Sequence, residues 1–529
     1  MNLKYFCIVL IIAVLFGFGC DKTERSTDSI SNFVAEFESD FQRLNTGRDS
    51  ELLKQTSTGE ADSLEYFEGQ LERLLTEPEL YDNVVAYRKV VTDELIKRKL
   101  DLIYYRLLRY KIDNQSDIIN LIDSLNLKID KFTRTSISDM LNSSSTYFLC
   151  EFSGKNISNI NKKLLWEIGD GLGRLVRLRN LAARQIGYNS YASINELIEY
   201  SGVLKSNRML DQIEEKSDTA FKAVLEMSED NASDNIETIC RLLHQQADLK
   251  NEYGYYFSFN KRKRTQILVN TFKTIGFDIN KLPIYFIDPE STVISEKAYC
   301  FPISYPYDIR IVTNSSGNIE SFYSLYYATV YAIYAANMKP GSYLFRYDPT
   351  SLRSELILSM FDNLISTEEW RNEHLDLPRD FATRLQQDKY RFKILDTRAR
   401  LVAARFEKRL YLNDAWQVEE VFAELFERIM HCPLSDTIVW WSLLDTYVNR
   451  PFYVQRKLIA DVAAAQVWNN LTAGAPVSDS SFVADALGQN CFASGQRYDW
   501  YEMLHQITGE EFNADYYLRR TYSTAIIDK

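Results

Sequence analysis

The sequence contains few of the residues that interrupt helices, and it has no excess of positive charge. Only 19 glycines and 11 prolines occur in 529 residues. Because glycine and proline mark turns and helix ends, their scarcity predicts long helices with few turns. Lysine and arginine number 61 against 73 aspartates and glutamates, which gives a net charge of −12. A negative chain repels phosphate backbones, so nucleic acid is disfavoured as a partner.

Histidine and cysteine are too sparse to form a recognisable metal-binding motif. The four histidines, for which we expect surface or structural roles, are His244, His374, His431 and His505. No histidine has a second one two or four positions away, and no Cys-x-x-Cys pair occurs. If Cys7 is removed with a leader and Cys20 is lipidated, five cysteines remain. Five is an odd number, so at least one thiol stays free.

A single long apolar run is present, from Tyr5 to Gly19, and it follows the charged residue Lys4. It is too short for a comfortable membrane span and is typical of a signal peptide. Its end at Cys20 resembles a bacterial lipoprotein box, although Gly17 stands where leucine is usual. The alternative is a plain secretory signal with an incidental cysteine. Acyl chains on Cys20 would hold the protein on a membrane surface.

These features predict a signal peptide over residues 1–20, a polar tether over 21–31 and one helical domain over 32–529. They also predict a membrane-anchored lipoprotein of the bacterial cell envelope, facing the periplasm or the cell surface.

The most informative stretch of the domain lies between residues 308 and 370. Residues Asp308–Asn314 alternate between polar and apolar side chains, which is typical of a strand. The pattern then predicts one helix over Phe322–Asn337 and a second over Leu352–Ile365.

This stretch resembles the zinc core of the angiotensin-converting-enzyme-like peptidyl-dipeptidases, particularly the bacterial ones. In that family the first helix reads Leu-x-His-Glu-x-Gly-His-Ala-x-Tyr, and here Leu325, Ala332 and Tyr334 keep its framework. Residues 175–188 resemble the family's Leu-Val-x-Leu-Arg-Asn-x-Ala-Ala-Arg-x-Leu-Gly-Tyr helix. Similarity extends over most of residues 30–520. It implies a mainly α fold of two helical halves around a deep cleft, with a small antiparallel sheet beside the zinc helix.

The residues that carry the family's chemistry are replaced. Tyr327 and Tyr331 stand where the two histidine ligands would be, and Ala328 stands where the catalytic glutamate would be. Lys457 stands where the resemblance places the tyrosine that steadies the oxyanion. Tyrosine is a poor zinc ligand at neutral pH, and alanine is no base. Glu355, 24 residues after Tyr331, is the one expected zinc ligand that is kept.

We therefore predict a pseudopeptidase that binds a peptide or protein partner without hydrolysing it and that has lost zinc. The resemblance also implies that a strand binds the peptide backbone, here through Asp308, Arg310 and Val312. Two alternatives stay open, namely an active peptidase with an atypical site and a structural cell-envelope protein whose cleft is filled.

Loss of the metal would leave Glu355 without a counter-ion. An unpaired buried charge is costly, so we expect an ion pair between Glu355 and Lys457, supported by the hydroxyl of Tyr327 or Tyr331. The alternative is that Glu355 pairs with Arg353 or Arg456.

Overall fold

The fold is described from a computed structural model of the full chain. The description leaves out residues 1–2, 137–161, 201–202, 227–234, 258, 291–296, 315–316, 340, 348–350, 413–417, 435–444, 473–481 and 523–529. It also leaves out the side chains of residues 3–27, 133–136, 203–204, 235, 363 and 519–522. Every structural statement below concerns the remaining residues.

Helices make up most of the described chain. The elements before the sheet are α1 (Leu3–Thr58), α2 (Leu64–Thr76), α3 (Leu80–Val90), α4 (Glu94–Asp113), α5 (Ser116–Ser136), α6 (Lys162–Gln185), α7 (Tyr191–Tyr200), α8 (Val203–Glu226), α9 (Asn235–Tyr255) and α10 (Lys261–Thr274). The sheet comprises β1 (Ile284–Ile287), β2 (Tyr299–Ser304) and β3 (Asp308–Val312). The elements after it are α11 (Ile319–Ala336), α12 (Tyr343–Arg346), α13 (Leu352–Ile365), α14 (Glu368–His374), α15 (Arg379–Leu412), α16 (Val418–Met430), α17 (Asp445–Asn449), α18 (Tyr453–Thr472), α19 (Val483–Leu487), α20 (Trp500–Thr508) and α21 (Asp515–Tyr522).

Helix α6 shows how the sequence builds this scaffold. Leu175 and Ala182 of its apolar stripe are buried, and Gly187 just beyond its end has a φ of 89°, a conformation that favours glycine. The buried guanidinium of Arg179 donates to the carbonyls of Tyr447 and Val448. The motif therefore ties α6 to α17, which is a structural role.

The three strands form a mixed sheet in the order β1–β3–β2. Strand β3 pairs with β1 in parallel and with β2 in antiparallel orientation. The predicted antiparallel pairing is present between β2 and β3, and β1 adds a parallel strand that the sequence did not predict. The sheet lies beside α11, since the N–H of Ala298 donates to Ser324 Oγ at 2.8 Å.

The architecture confirms the predicted fold class, a mainly helical protein with a small sheet beside α11. No helix in the described part of the chain is both long enough and apolar enough to cross a membrane. Cys20 falls within α1, but its side chain lies outside the described residues, so its lipidation stays a prediction.

Candidate functional site

Helix α11 carries the substituted motif towards α13. Asn318 caps its N-terminus by accepting a hydrogen bond from the N–H of Ser321. Tyr327 and Tyr331 lie one turn apart, so they share a face of the helix, and both are half-buried, whereas Ala328 is buried.

Helix α13 presents three polar residues on one face. It begins with a capping box between Ser351 and Ser354. Glu355, Ser359 and Asp362 follow at intervals of four and three residues, which places them on the same side of the helix.

Helix α18 supplies the charges that meet this face. Lys457 Nζ donates to Ser359 Oγ at 2.8 Å, to Asp461 Oδ1 at 2.9 Å and to Asp362 Oδ2 at 3.3 Å. The Tyr327 hydroxyl donates to Asp362 Oδ1 at 2.5 Å. These five residues, Tyr327, Ser359, Asp362, Lys457 and Asp461, are called the Lys457 cluster below. Helices α13 and α18 thus meet at one ammonium group, and α11 joins them through the contact of Tyr327 with Asp362.

The cluster continues into α15 through Asp461. Arg400 Nη1 donates to Asp461 Oδ2 at 2.6 Å, and Arg400 also pairs with Asp396 at 2.6 Å. Asp461 therefore accepts from one lysine and one arginine, and both of its carboxylate oxygens are occupied.

The protonation states in the cluster follow from burial and from these charges. Burial opposes the charged form of Lys457, but the carboxylates of Asp461 and Asp362 outweigh it and raise the lysine pKa. Burial likewise favours neutral Asp461, yet Lys457 and Arg400 lower its pKa. For Asp362 the effect of burial exceeds that of the Lys457 charge, so its pKa is raised. Burial, followed by the charge of Asp362, raises the pKa of Tyr327 well above its ordinary value.

These states argue against a serine–lysine hydrolytic pair. Ser359 and Lys457 are close enough for such a pair, but a base must be unprotonated to take the serine proton. With its pKa raised by two carboxylates, Lys457 stays charged at neutral pH.

The predicted ion pair between Glu355 and Lys457 is wrong. Among the described residues, Lys457 pairs within 4 Å with Asp362 and Asp461, and Glu355 has no ion pair at that distance. Burial, the largest influence on Glu355, raises its pKa. Lys457 is met instead by Asp362, which lies two turns further along the same face of α13.

The alternative partners of Glu355 are also engaged elsewhere. Arg353 donates to the carbonyls of Tyr498 and Cys491, and Arg456 pairs with Glu199 at 3.2 Å. Ser359, Asp362 and Asp461 were not among the residues predicted from the sequence. The spacing of Ser359 and Asp362 from Glu355 was the available signal.

Tyr331 does not take part in supporting Glu355 as predicted. Its hydroxyl lies 3.4 Å from that of Tyr305, a buried residue just after β2. Tyr331 therefore links α11 to the sheet.

The three residues predicted to bind a peptide backbone lie on the central strand of the sheet. Both neighbours of β3 are already paired along Asp308–Val312, so Asp308, Arg310 and Val312 have no free strand edge to offer. Arg310 instead forms a bidentate contact with Asp308, with both distances 2.9 Å. The added-strand prediction for β3 is wrong, because β3 is the central strand and the edge strands are β1 and β2.

The residues at the motif positions do not fit a zinc ion. Structural and catalytic zinc sites use at least three ligands drawn from histidine, cysteine and carboxylates. Tyr327, Ala328 and Tyr331 supply none of these, and Glu355 alone is insufficient. The described residues contain no group of three or more His, Cys, Asp and Glu side chains that could hold a metal ion. Absence of zinc from the protein stays a prediction.

Comparisons with known proteins support the fold at low sequence similarity. No family model matches the chain, and no curated protein matches it. Among solved structures, an M32 carboxypeptidase from Deinococcus radiodurans R1 aligns with a TM-score of 0.61 at 12% identity, covering 92% of this chain and 98% of that one. A Pyrococcus furiosus carboxypeptidase aligns with a TM-score of 0.59 at 12% identity, covering 93% of this chain and 98% of that one. Trypanosoma cruzi metallocarboxypeptidase 1 aligns with a TM-score of 0.59 at 14% identity, covering 92% of this chain and 99% of that one.

At these identities the likeness concerns the fold alone. It does not show that the chain belongs to the peptidyl-dipeptidase family that the motifs resemble. The chain has a metallopeptidase-like fold, shared over nearly its whole length with M32 carboxypeptidases.

Proposed function

We propose that this protein is a pseudopeptidase that binds a peptide or protein partner without cleaving it, and that it is anchored to the bacterial cell envelope through lipidated Cys20. The observation that carries the proposal is the Lys457 cluster. An ammonium group held by two carboxylates occupies the junction of α11, α13 and α18. Its charge is balanced within the protein, so Lys457 is not a free base that could activate a nucleophile.

Exposure at the junction favours binding over a filled cleft. The side chains of Asp362 and Lys457 keep 35% and 23% of their accessible surface. The ring of Tyr327 packs parallel to that of Tyr323 at 6.3 Å, which fills part of the space. Solvent nevertheless reaches the two charged groups, and Glu355 has a carboxylate with no ion pair among the described residues. An amine of a bound peptide is the chemical group that this carboxylate would accept.

An extended peptide would pair with β2 under this proposal. Of the two edge strands, β2 is joined to α11 at both of its ends. The residue before it, Ala298, donates to Ser324 of α11, and the hydroxyl of the residue after it, Tyr305, lies 3.4 Å from that of Tyr331. A peptide added to β2 would thus lie next to the substituted motif.

The proposal is tested on the mature chain purified without added metal. We expect less than stoichiometric zinc by elemental mass spectrometry, no cleavage of a peptide library and saturable binding of some library members. Binding should weaken in Glu355→Gln, whereas the distant variant Glu252→Gln serves as the control. Stoichiometric zinc together with cleavage that Glu355→Ala abolishes would overturn the proposal. Cys20→Ala should release the protein from membranes. If this variant fractionates with membranes as wild type does, the proposal of a lipid anchor on Cys20 is wrong.

The triple variant Tyr327→His, Ala328→Glu and Tyr331→His sharpens this experiment. It restores two zinc ligands and a base beside Glu355, so we expect zinc content to rise. Hydrolysis should stay low because Lys457 remains at the junction.

A further inference from the structure

A second polar site lies apart from the Lys457 cluster. It is a cavity of about 120 Å³ between α4, the end of α7, the start of α13 and the residues that lead into α20. Its charged lining residues are Arg98, Arg106, Arg109, Arg353, Glu199 and Asp499. None of the five residues of the Lys457 cluster lines it.

The two carboxylates of the lining are committed to other groups. Glu199 accepts from the N–H of Leu352 at 3.0 Å and pairs with Arg109 and Arg456. Asp499 caps α20 by accepting from the N–H of Glu502 at 2.7 Å. Among the described residues, no carboxylate lies within ion-pair distance of Arg98 or Arg353.

Arg353 is a buried cation whose hydrogen-bond acceptors are all neutral. It is 3% exposed, and its Nη atoms donate to the carbonyls of Tyr498 and Cys491 and to Ser494 Oγ at 2.8–2.9 Å. Its buried Nε has no hydrogen-bond partner among the described residues. A buried charge without a counter-ion is costly, so an anion in this cavity would stabilise the arrangement.

Arg98 provides further donors at the more open side of the cavity. This half-buried residue donates Nε to the carbonyl of Gln496 at 2.9 Å. Its two Nη groups make no hydrogen bond within the described part of the chain. Guanidinium groups bind tetrahedral oxyanions through pairs of N–H donors, and the cavity begins at the positive end of α13, which also favours an anion.

We propose that this cavity binds a phosphate group, with Arg98 and Arg353 as the cations that recognise it. The group is either free phosphate or the phosphate of a larger molecule that enters from the exposed side. Arg109 lies in the wall and stays paired with Glu199. The cavity shares no lining residue with the Lys457 cluster and does not include Glu355.

The test is a titration of the full mature chain with inorganic phosphate at constant ionic strength, read by calorimetry and by melting temperature, with chloride as the reference salt. Wild type should show saturable binding and a rising melting temperature. Arg98→Gln should weaken binding about tenfold or more, the usual loss for one charge-assisted hydrogen bond. Lys97→Gln removes the same charge one residue away on α4, at an exposed position outside the cavity, and should bind like wild type.

A second arm uses glycerol 3-phosphate, whose tighter binding would identify the phosphate of a larger molecule as the ligand. Arg98→Lys, which keeps the charge and loses the fork of donors, should fall between wild type and Arg98→Gln. Circular dichroism in chloride buffer checks that each variant is folded. Absence of saturable binding of either phosphate to wild type, or equal affinities of Arg98→Gln and Lys97→Gln, would overturn the proposal.

Discussion

Two glutamates, one packed against α13 and one within it, show how different environments give the same side chain different roles. Glu199, from α7, is 5% exposed, pairs with Arg109 and Arg456, and accepts from the first turn of α13. Burial would raise its pKa, but the two arginines outweigh burial and lower it. Glu355, within α13, is half-buried and has no ion pair in the described part of the chain, and burial raises its pKa.

The difference separates a structural carboxylate from an available one. Glu199 fixes the start of α13, so its contacts hold the face on which Ser359 and Asp362 lie. Glu355 holds nothing in place and keeps its capacity to accept a ligand. A pKa shift therefore indicates function only together with the partners that cause it.

The largest expected effect comes from removing the structural glutamate. Glu199→Gln leaves the buried Arg456 and the half-buried Arg109 without a carboxylate, and breaking a buried pair costs roughly 3–5 kcal/mol. Glu355→Gln should change the free energy of unfolding by less than about 1 kcal/mol, since it breaks no ion pair. Urea denaturation at pH 7 measures both values. Equal losses of unfolding free energy in the two variants would show that the two glutamates do not differ in structural role.

A third glutamate extends the comparison to pH. Glu407 is 1% exposed, and it accepts from the N–H of Phe452 at 2.8 Å. Burial raises its pKa to about 8, against the smaller opposing influence of that hydrogen bond and of Arg179. Because the folded-state pKa lies above the unfolded value of about 4.3, the folded protein binds more protons between these values. The contribution of Glu407 to the free energy of unfolding is fully present below about pH 4, and it is lost as the pH rises through about 8.

Glu407→Gln should remove this pH dependence. The difference in unfolding free energy between wild type and variant should change by up to about 1.4 kcal/mol per pH unit between pH 5 and 8, in favour of the variant as pH rises. Parallel stability curves would show that Glu407 is charged in the folded protein at neutral pH.

A smaller effect distinguishes the two aspartates that hold Lys457. Asp461→Asn removes the shared carboxylate of Lys457 and Arg400 and should cost roughly 2–3 kcal/mol. Asp362→Asn should cost less than about 1 kcal/mol, because its side chain is 35% exposed and water can replace it. Thermal denaturation of the two variants side by side measures the difference. A larger loss in Asp362→Asn would make Asp362 the main counter-ion of the cluster.

Local patterns in the sequence were sufficient to predict two of the helices around the site. The structure confirms the helix predicted over Leu352–Ile365 with the same ends, and the helix predicted over Phe322–Asn337 is present as Ile319–Ala336. These predictions succeed because apolar periodicity and capping residues act over one or two turns. That Tyr327, Ala328 and Tyr331 replace the ligands and the base of the resembled motif stays a prediction from the sequence.

The contacts among these elements could not be predicted from the same patterns. Register along α13 decides that Asp362 rather than Glu355 meets Lys457, and strand order decides that β3 has no free edge. The cavity beside Arg98 and Arg353 exists only where α4 and α13 approach the segment before α20. The sequence alone determined which side chains each helix carries. The tertiary structure decided which of them meet, because ion pairs, strand edges and cavities form between segments far apart in the chain.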